Sequence, residues 1–307
     1  MKMIVKHCLF CRAQEQLSDL YPRTFEEKDL TPAVFSARRE TEHFHYQMVR
    51  CRGCGLVFSR EILPDTILLD LYSKSSVTFG EHADVLRRDY WRPLERHLSG
   101  LPRSAALEIG CSSGFFLQEL KKQGFLSVVG SEPSLEAKQK ADLSVRDCIQ
   151  SGFFDGQSTF PPHRFDLVCL FQTIDHLTEP QTIMKSIREV LLPGGLVYLI
   201  CHNAASLQAR LLGSKSPIID IEHIYLFNKK TLSRLLTQAG LDIVVIGDLE
   251  NSYPLDYWLY MLPIPMGLKS FVSSLFKLTG LGRLSPALKA GNIYAIAREP
   301  KQAGERP

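Results

Sequence analysis

The stretch Ala105-Ala106-Leu107-Glu108-Ile109-Gly110-Cys111-Ser112-Ser113-Gly114-Phe115-Phe116-Leu117 limits what this chain can fold into more than any other. Residues 105–109 form an apolar run with one carboxylate toward its end. That pattern suits the first strand of an open parallel sheet, where ligands sit beyond the strands' carboxyl ends. Gly110 and Gly114 allow a sharp turn and close approach of the backbone to a ligand. Ser112 and Ser113 suit the cap of the helix that follows, which leaves its first amides facing a polar group. Strand, turn and helix start together predict a cradle for an adenosine-bearing cofactor.

A dinucleotide-binding turn needs glycine where this chain has Ser112, so a nicotinamide or flavin fits less well. A second element, Ser127-Val128-Val129-Gly130-Ser131-Glu132-Pro133, reads as another strand whose terminal carboxylate lies 24 residues after Glu108 and can accept from both ribose hydroxyls. Apolar runs at 143–147, 165–171 and 195–201 alternate with helix-like or loop segments, as expected for a parallel sheet. Phe165-Asp166-Leu167-Val168, Gln172-Thr173-Ile174-Asp175-His176-Leu177 and Leu192-Pro193-Gly194-Gly195 complete five blocks in order.

This series resembles the class I S-adenosylmethionine-dependent methyltransferases. The resemblance implies an α/β fold with a Rossmann-like seven-stranded sheet and S-adenosylmethionine as cofactor. It also implies roles for residues: Glu108 meets the methionine amino group, Glu132 the ribose, Asp147 the adenine amino group, and Cys148 offers its backbone amide. Gly110, Cys111, Ser112, Gly114, Pro133 and Gln172 complete the implied cofactor set.

Four of the eight cysteines form two close pairs, Cys8-Leu9-Phe10-Cys11 and Cys51-Arg52-Gly53-Cys54. Two such knuckles suit one tetrahedral zinc ion whose four thiolates leave no open position, hence a structural metal. The alternative is two disulfides. The start Met-Lys-Met-Ile-Val-Lys lacks an apolar core and a small-residue cleavage site, so secretion is not expected, a cytoplasmic location is, and zinc is preferred. Cys111, Cys148, Cys169 and Cys201, in or beside expected strands, read as reduced thiols. The phrase Val49-Arg50-Cys51-Arg52-Gly53-Cys54-Gly55-Leu56-Val57-Phe58 resembles the second knuckle of deoxysugar C-methyltransferases, which carry a four-cysteine module ahead of the catalytic domain.

These signals divide the chain into a zinc-ribbon-like module at 1–60, a helical bridge at 61–103, and a methyltransferase domain at 104–307 with a cap or lid insertion around 250–291. Leu86, Tyr90, Trp91, Leu94 and Leu98 recur at helical spacing in the bridge and are expected to pack on the sheet. Residues 241–246 read as a strand. Residues 292–297 read as the last strand, antiparallel and at the sheet edge. Residues 257–283 are aromatic and apolar, contain Lys269, Lys277 and Arg283, and are interrupted by Pro263 and Pro265, too broken to span a bilayer. They suit a packed cap, a dimer surface or weak contact with a membrane surface.

Methyl transfer from a sulfonium is an in-line displacement, so the protein must align the nucleophile and, where needed, take its proton. Loops beyond the strand ends offer Asp175-His176, His202-Asn203 and Glu222-His223-Ile224-Tyr225. His223 leads, because Glu222-His223-Ile224-Tyr225-Leu226-Phe227 resembles an E-H-x-x-x-F block that supplies an active-site histidine in the sugar enzymes. His176 and Tyr225 are further catalytic candidates. Asp220 and Ile221 stand where those enzymes have a tyrosine and a second histidine, so C-, O- or N-methylation stays open.

The expected acceptor is a small molecule: a sugar-nucleotide, a glycan precursor or a secondary metabolite. The alternative is an RNA methyltransferase whose zinc module reads RNA through Arg12, Arg38, Arg39, Arg50 and Arg52. A formal net charge of +3 gives no broad nucleic-acid signal, and Glu26, Glu27, Asp29, Glu40 and Glu42 dilute the basic residues, so nucleic acid is not the expected partner.

Overall fold

A computed structural model describes residues 2–12, 15–35, 44–76, 83–156, 160–262 and 264–301. Arg38, Arg39, Glu40, Glu42 and Pro263 lie outside the described residues.

Two short strands, β1 (Ile4–Val5) and β5 (Glu61–Ile62), pair antiparallel and bracket the amino-terminal module. Inside it, β2 (Leu17–Tyr21), β3 (Met48–Cys51) and β4 (Val57–Ser59) form an antiparallel sheet. Helices α1 (Asp65–Ser73) and α2 (Ala83–Glu95) lead into β6 (Ala105–Ile109), α3 (Phe115–Lys122) and β7 (Ser127–Glu132). Then come α4 (Leu135–Lys140), α5 (Leu143–Arg146), β8 (Ile149–Ser151), β9 (Phe165–Phe171), α6 (Pro180–Val190) and β10 (Leu191–His202). The chain closes with α7 (Leu207–Leu212), β11 (Tyr225–Leu226), α8 (Lys229–Gln238), β12 (Asp242–Asp248), α9 (Leu255–Met261), α10 (Met266–Thr279) and β13 (Asn292–Arg298).

The main sheet has seven strands in the order β12-β13-β10-β9-β6-β7-β8, and its central pairs are parallel. Its middle strands are continuous apolar runs because both faces are covered. Alternate residues feed two cores: Leu107, Val168, Leu170 and Leu199 pack toward α6 and α8, whereas Ala106, Leu167, Cys169 and Tyr198 pack toward α2 and α3. Leu86, Tyr90, Trp91, Leu94 and Leu98 are buried in the second core, as their spacing predicts. Strand order reverses between β6 and β9, and such a reversal opens a crevice at the strands' carboxyl ends.

Three expectations need correction. Residues 143–147 are not a strand: Asp142 accepts from Ser144 N at 2.8 Å and caps α5, Leu143 is 78% exposed, and the strand begins only at Ile149. The strand at 292–298 is antiparallel but not at the edge, because it is inserted between β10 and β12. The carboxyl-terminal insertion is not a packed cap throughout. Tyr257 and Trp258 of α9 turn inward, but α10 has no buried residue and leaves Met266, Phe271 and Leu278 more than two-thirds exposed.

The amino-terminal module is packed into the rest of the chain. Its sheet takes a fourth strand from afar, because β11 pairs with β4 through Tyr225↔Phe58 and Leu226↔Val57. Cys8, Cys51, Phe58 and Ile62 share one core with Leu107 and Val168 of the main sheet. Among the described residues, no helix is long and apolar enough to cross a membrane.

Candidate active site

A cavity of about 1350 Å3 opens at the carboxyl ends of β6 and β9. Its floor on one side is the glycine turn. Gly110 has φ +72°, and a Cβ there would lie 2.5 Å from Thr173 Oγ1, so glycine keeps the crevice open. Glu132 ends β7 and is 8% exposed. Its two carboxylate oxygens accept from Ser112 N and Ser134 N, each at 2.8 Å, which fixes the turn and orients the carboxylate.

Glu108 is 1% exposed, and its Oε2 is a buried atom with no hydrogen-bond partner among the described residues. Burial, then the neighbouring charge of Glu132, holds its carboxyl well above the usual carboxylate range. Gln172 adopts φ +51° and likewise buries an unpartnered Oε1. Unsatisfied acceptors of this kind, beside a turn held open for backbone approach, fit a cationic, hydrogen-bond-donating ligand such as S-adenosylmethionine.

Of the cofactor residues expected from the sequence, Glu108, Gly110, Ser112, Glu132, Pro133 and Gln172 line this cavity. The other four do not. The thiol of Cys111 is in the core, and Gly114 makes room for Val145 and Ile149, each within about 3.2 Å of where a Cβ would stand. Asp147 is an exposed residue at the end of α5, and Cys148 precedes β8. Because β8 starts late, its carboxyl end presents Gly152, Phe153 and Asp155 to the cavity instead. Sequence reading missed these residues, although an aromatic after a strand is a signal that could have been weighed.

Across the cavity stands a cluster of three histidines around Asp175. His223 Nδ1 lies 2.9 Å from the carbonyl of Ile218; with that nitrogen donating, Nε2 carries the lone pair. The rings of His202 and His176 lie 4.6 Å and 5.0 Å from that of His223. Asp175 is fully buried, and neither carboxylate oxygen has a hydrogen-bond partner among the described residues. Its nearest basic atoms are His202 Nδ1 at 3.8 Å and His176 Nε2 at 4.0 Å. Burial pushes the Asp175 carboxyl up and the His176 and His202 imidazoles well down.

The loop carrying His223 is clamped from both sides. Asp175 O accepts from Ile224 N at 2.8 Å and Tyr225 N at 3.1 Å, while Ser59 of the module donates its hydroxyl to His223 O at 3.2 Å and its amide to Ile224 O at 2.8 Å. Tyr225, expected at the site, is instead a core residue. It is fully buried, stacks on Phe58 across the β11–β4 pair and does not line the cavity.

Outside this cavity, the Sγ atoms of Cys8, Cys11, Cys51 and Cys54 all lie within 4.8 Å of one another, and none of the four is in a disulfide. Gly55, at φ +82°, donates its amide to Cys51 O and closes the second knuckle. The donor set fits zinc.

A family model described as a methyltransferase domain matches residues 83–246, more than half of the chain. A ubiquinone biosynthesis O-methyltransferase of Neisseria meningitidis serogroup C is 25% identical over 180 residues, covering 52% of this chain and 70% of that protein. A tRNA U34 carboxymethyltransferase of Desulfotalea psychrophila is 28% identical over 115 residues, or 36% of each chain. The chain spans about half the length of most of the curated relatives it matches. A solved S-adenosylmethionine-dependent methyltransferase from Archaeoglobus fulgidus superposes with a TM-score of 0.47 at 14% identity, covering 76% of this chain and 100% of that one.

Proposed function

Since this chain belongs to the methyltransferase-domain family, we propose that it moves the methyl group of S-adenosylmethionine onto a small, uncharged and largely apolar acceptor. The observation that carries this reading is the pairing, across one cavity, of two buried carboxylates with a histidine whose basic nitrogen is free of its loop. Glu108 would take the methionine amino group and Glu132 the ribose hydroxyls, while Phe153 and Asp155, at the carboxyl end of β8, would flank the base. The positive donor relieves the cost of burying Glu108 beside Glu132.

The acceptor class follows from the remaining wall. Seven carboxylates line the cavity, among them Glu179 and Glu222, against a single lysine, Lys289. Such a lining disfavours the diphosphate of a nucleotide sugar and the backbone of RNA, both of which need cationic partners. Leu207, Leu211, Ile218, Tyr253, Tyr257 and Trp258 favour a hydroxylated aromatic or similarly apolar molecule. His223 Nε2 would take the acceptor proton, with Asp175 stabilising the imidazolium that results. Cys8, Cys11, Cys51 and Cys54 would hold one structural zinc ion with no open position for these steps.

His223→Ala is expected to lower turnover about 10²–10⁴-fold with donor affinity little changed. A labelled-methyl assay against hydroxylated aromatics and nucleotide sugars, with calorimetry of donor binding, checks both statements; unchanged turnover would remove His223 from the chemistry.

The exposed apolar face of α10 favours a second, compatible property. Met266, Phe271 and Leu278 lie beside Lys269 and Lys277, a composition suited to an anionic headgroup layer. The protein is expected to pellet with vesicles rich in phosphatidylserine at low salt, and Lys269→Glu with Lys277→Glu to stay in the supernatant. No pelleting of the parent protein would end this reading.

A further inference from the structure

Both carboxylate oxygens of Asp175 are buried without hydrogen-bond partners among the described residues. One ligand atom from each of Asp175, His176 and His223 lies within 4.8 Å of the others. We propose that Asp175, His176 and His223 bind one divalent transition-metal ion, distinct from the ion of the four cysteines.

Outer contacts favour this over a chance cluster. Ligating imidazoles and carboxylates are normally oriented by a second polar group. His223 Nδ1 is held by the Ile218 carbonyl at 2.9 Å, His176 Nδ1 lies 3.4 Å from the Tyr72 hydroxyl, and Asp175 Oδ2 faces His202 Nδ1 at 3.8 Å. Two imidazoles and one carboxylate select zinc, iron(II), cobalt or manganese rather than calcium or magnesium. Three protein ligands leave positions open, and His176 and His223 both line the cavity.

Ion binding stands by itself, whereas its use rests on the methyl-transfer reading and refines it. An acceptor hydroxyl bound to the ion would lose its proton to solvent at the cavity mouth. The resulting alkoxide or phenoxide oxygen would form the new O–C bond, and the C–S electron pair would return to sulfur as the neutral thioether leaves. His223 would then serve as a ligand, and the ion, by lowering the pKa of the bound acceptor hydroxyl, would do the work otherwise given to the imidazole base.

The test uses the full chain with zinc retained in the cysteine cluster and titrates it with cobalt(II) alone. One equivalent is expected, with visible d–d absorption and no sulfur charge-transfer band. Asp175→Asn, which removes no hydrogen bond present in the structure, and His176→Ala are each expected to weaken that equivalent at least ~100-fold while keeping one zinc per chain, which reports an intact fold. The inference is overturned if all bound cobalt shows the sulfur band, or if Asp175→Asn binds as the parent does. Should chelation of this ion leave turnover intact while His223→Ala abolishes it, the imidazole is the base and the ion's role is lost.

Discussion

Cys51→Ser is expected to be the most damaging single change in the molecule, lowering the melting temperature by roughly 10 °C or more and abolishing turnover with it. A four-thiolate site contributes its binding free energy directly to folding, and loss of a structural metal is among the few changes that exceed about 4–5 kcal/mol. At the ~2–4 °C per kcal/mol typical of domains this size, that is the shift stated. Cys51 ends β3, its side chain is fully buried, and it sits in the core that also holds Phe58 and Ile62. When β3 and β4 loosen, Ser59 can no longer hold the His223 loop. Zinc content, melting curves and turnover on the same preparation check this. A zinc-free Cys51→Ser protein that melts with the parent would show that the cluster is not structural.

The second large effect is on the donor. Glu132→Ala removes the acceptor for the amides of Ser112 and Ser134 and the carboxylate proposed to hold both ribose hydroxyls. With hydrogen bonds to a charged group each worth about 1.5–3 kcal/mol, donor affinity is expected to fall by ~100-fold or more. Glu108→Gln should separate affinity from stability. The Glu108 carboxyl is raised by burial and then by Glu132, so the folded chain holds this proton more tightly than the unfolded one. Its stabilising contribution is therefore full below the unfolded value of about 4.3 and lost as pH rises through the raised one. Without donor, Glu108→Gln is expected to be more stable than the parent at pH ~8 and equal to it at low pH, yet to bind S-adenosylmethionine more weakly. Melting across pH and calorimetry at neutral pH test both halves; parent-like donor affinity would remove Glu108 from the site.

Much of this architecture can be read from one dimension because burial on both faces writes itself as uninterrupted apolar runs. The strands at 105–109 and 165–171 begin and end where those largely apolar runs do. Carboxylates at strand ends are equally visible, hence Glu108 and Glu132. What escapes has physical causes. The strand after α5 is three residues long, too short for a periodic signal, and Asp142 starts a helix turn just before it, so Asp147 is misplaced and Phe153 overlooked. Tyr225 sits two residues from His223 in a motif that reads as one unit, but its pairing with Phe58 of β4 seats it in the core. Asp175 is legible as a residue and invisible as a problem, because a missing hydrogen bond is a property of three-dimensional surroundings.

The pairing of β11 with β4 limits how this molecule could be rebuilt. Front ends and catalytic bodies of multi-part enzymes are often treated as exchangeable cassettes, joined at a linker. Here a chimera cut near residue 60 would inherit a foreign ribbon with no mate for its outer edge, and the donor of that mate is a segment more than 160 positions downstream. Any productive swap must carry both pieces at once.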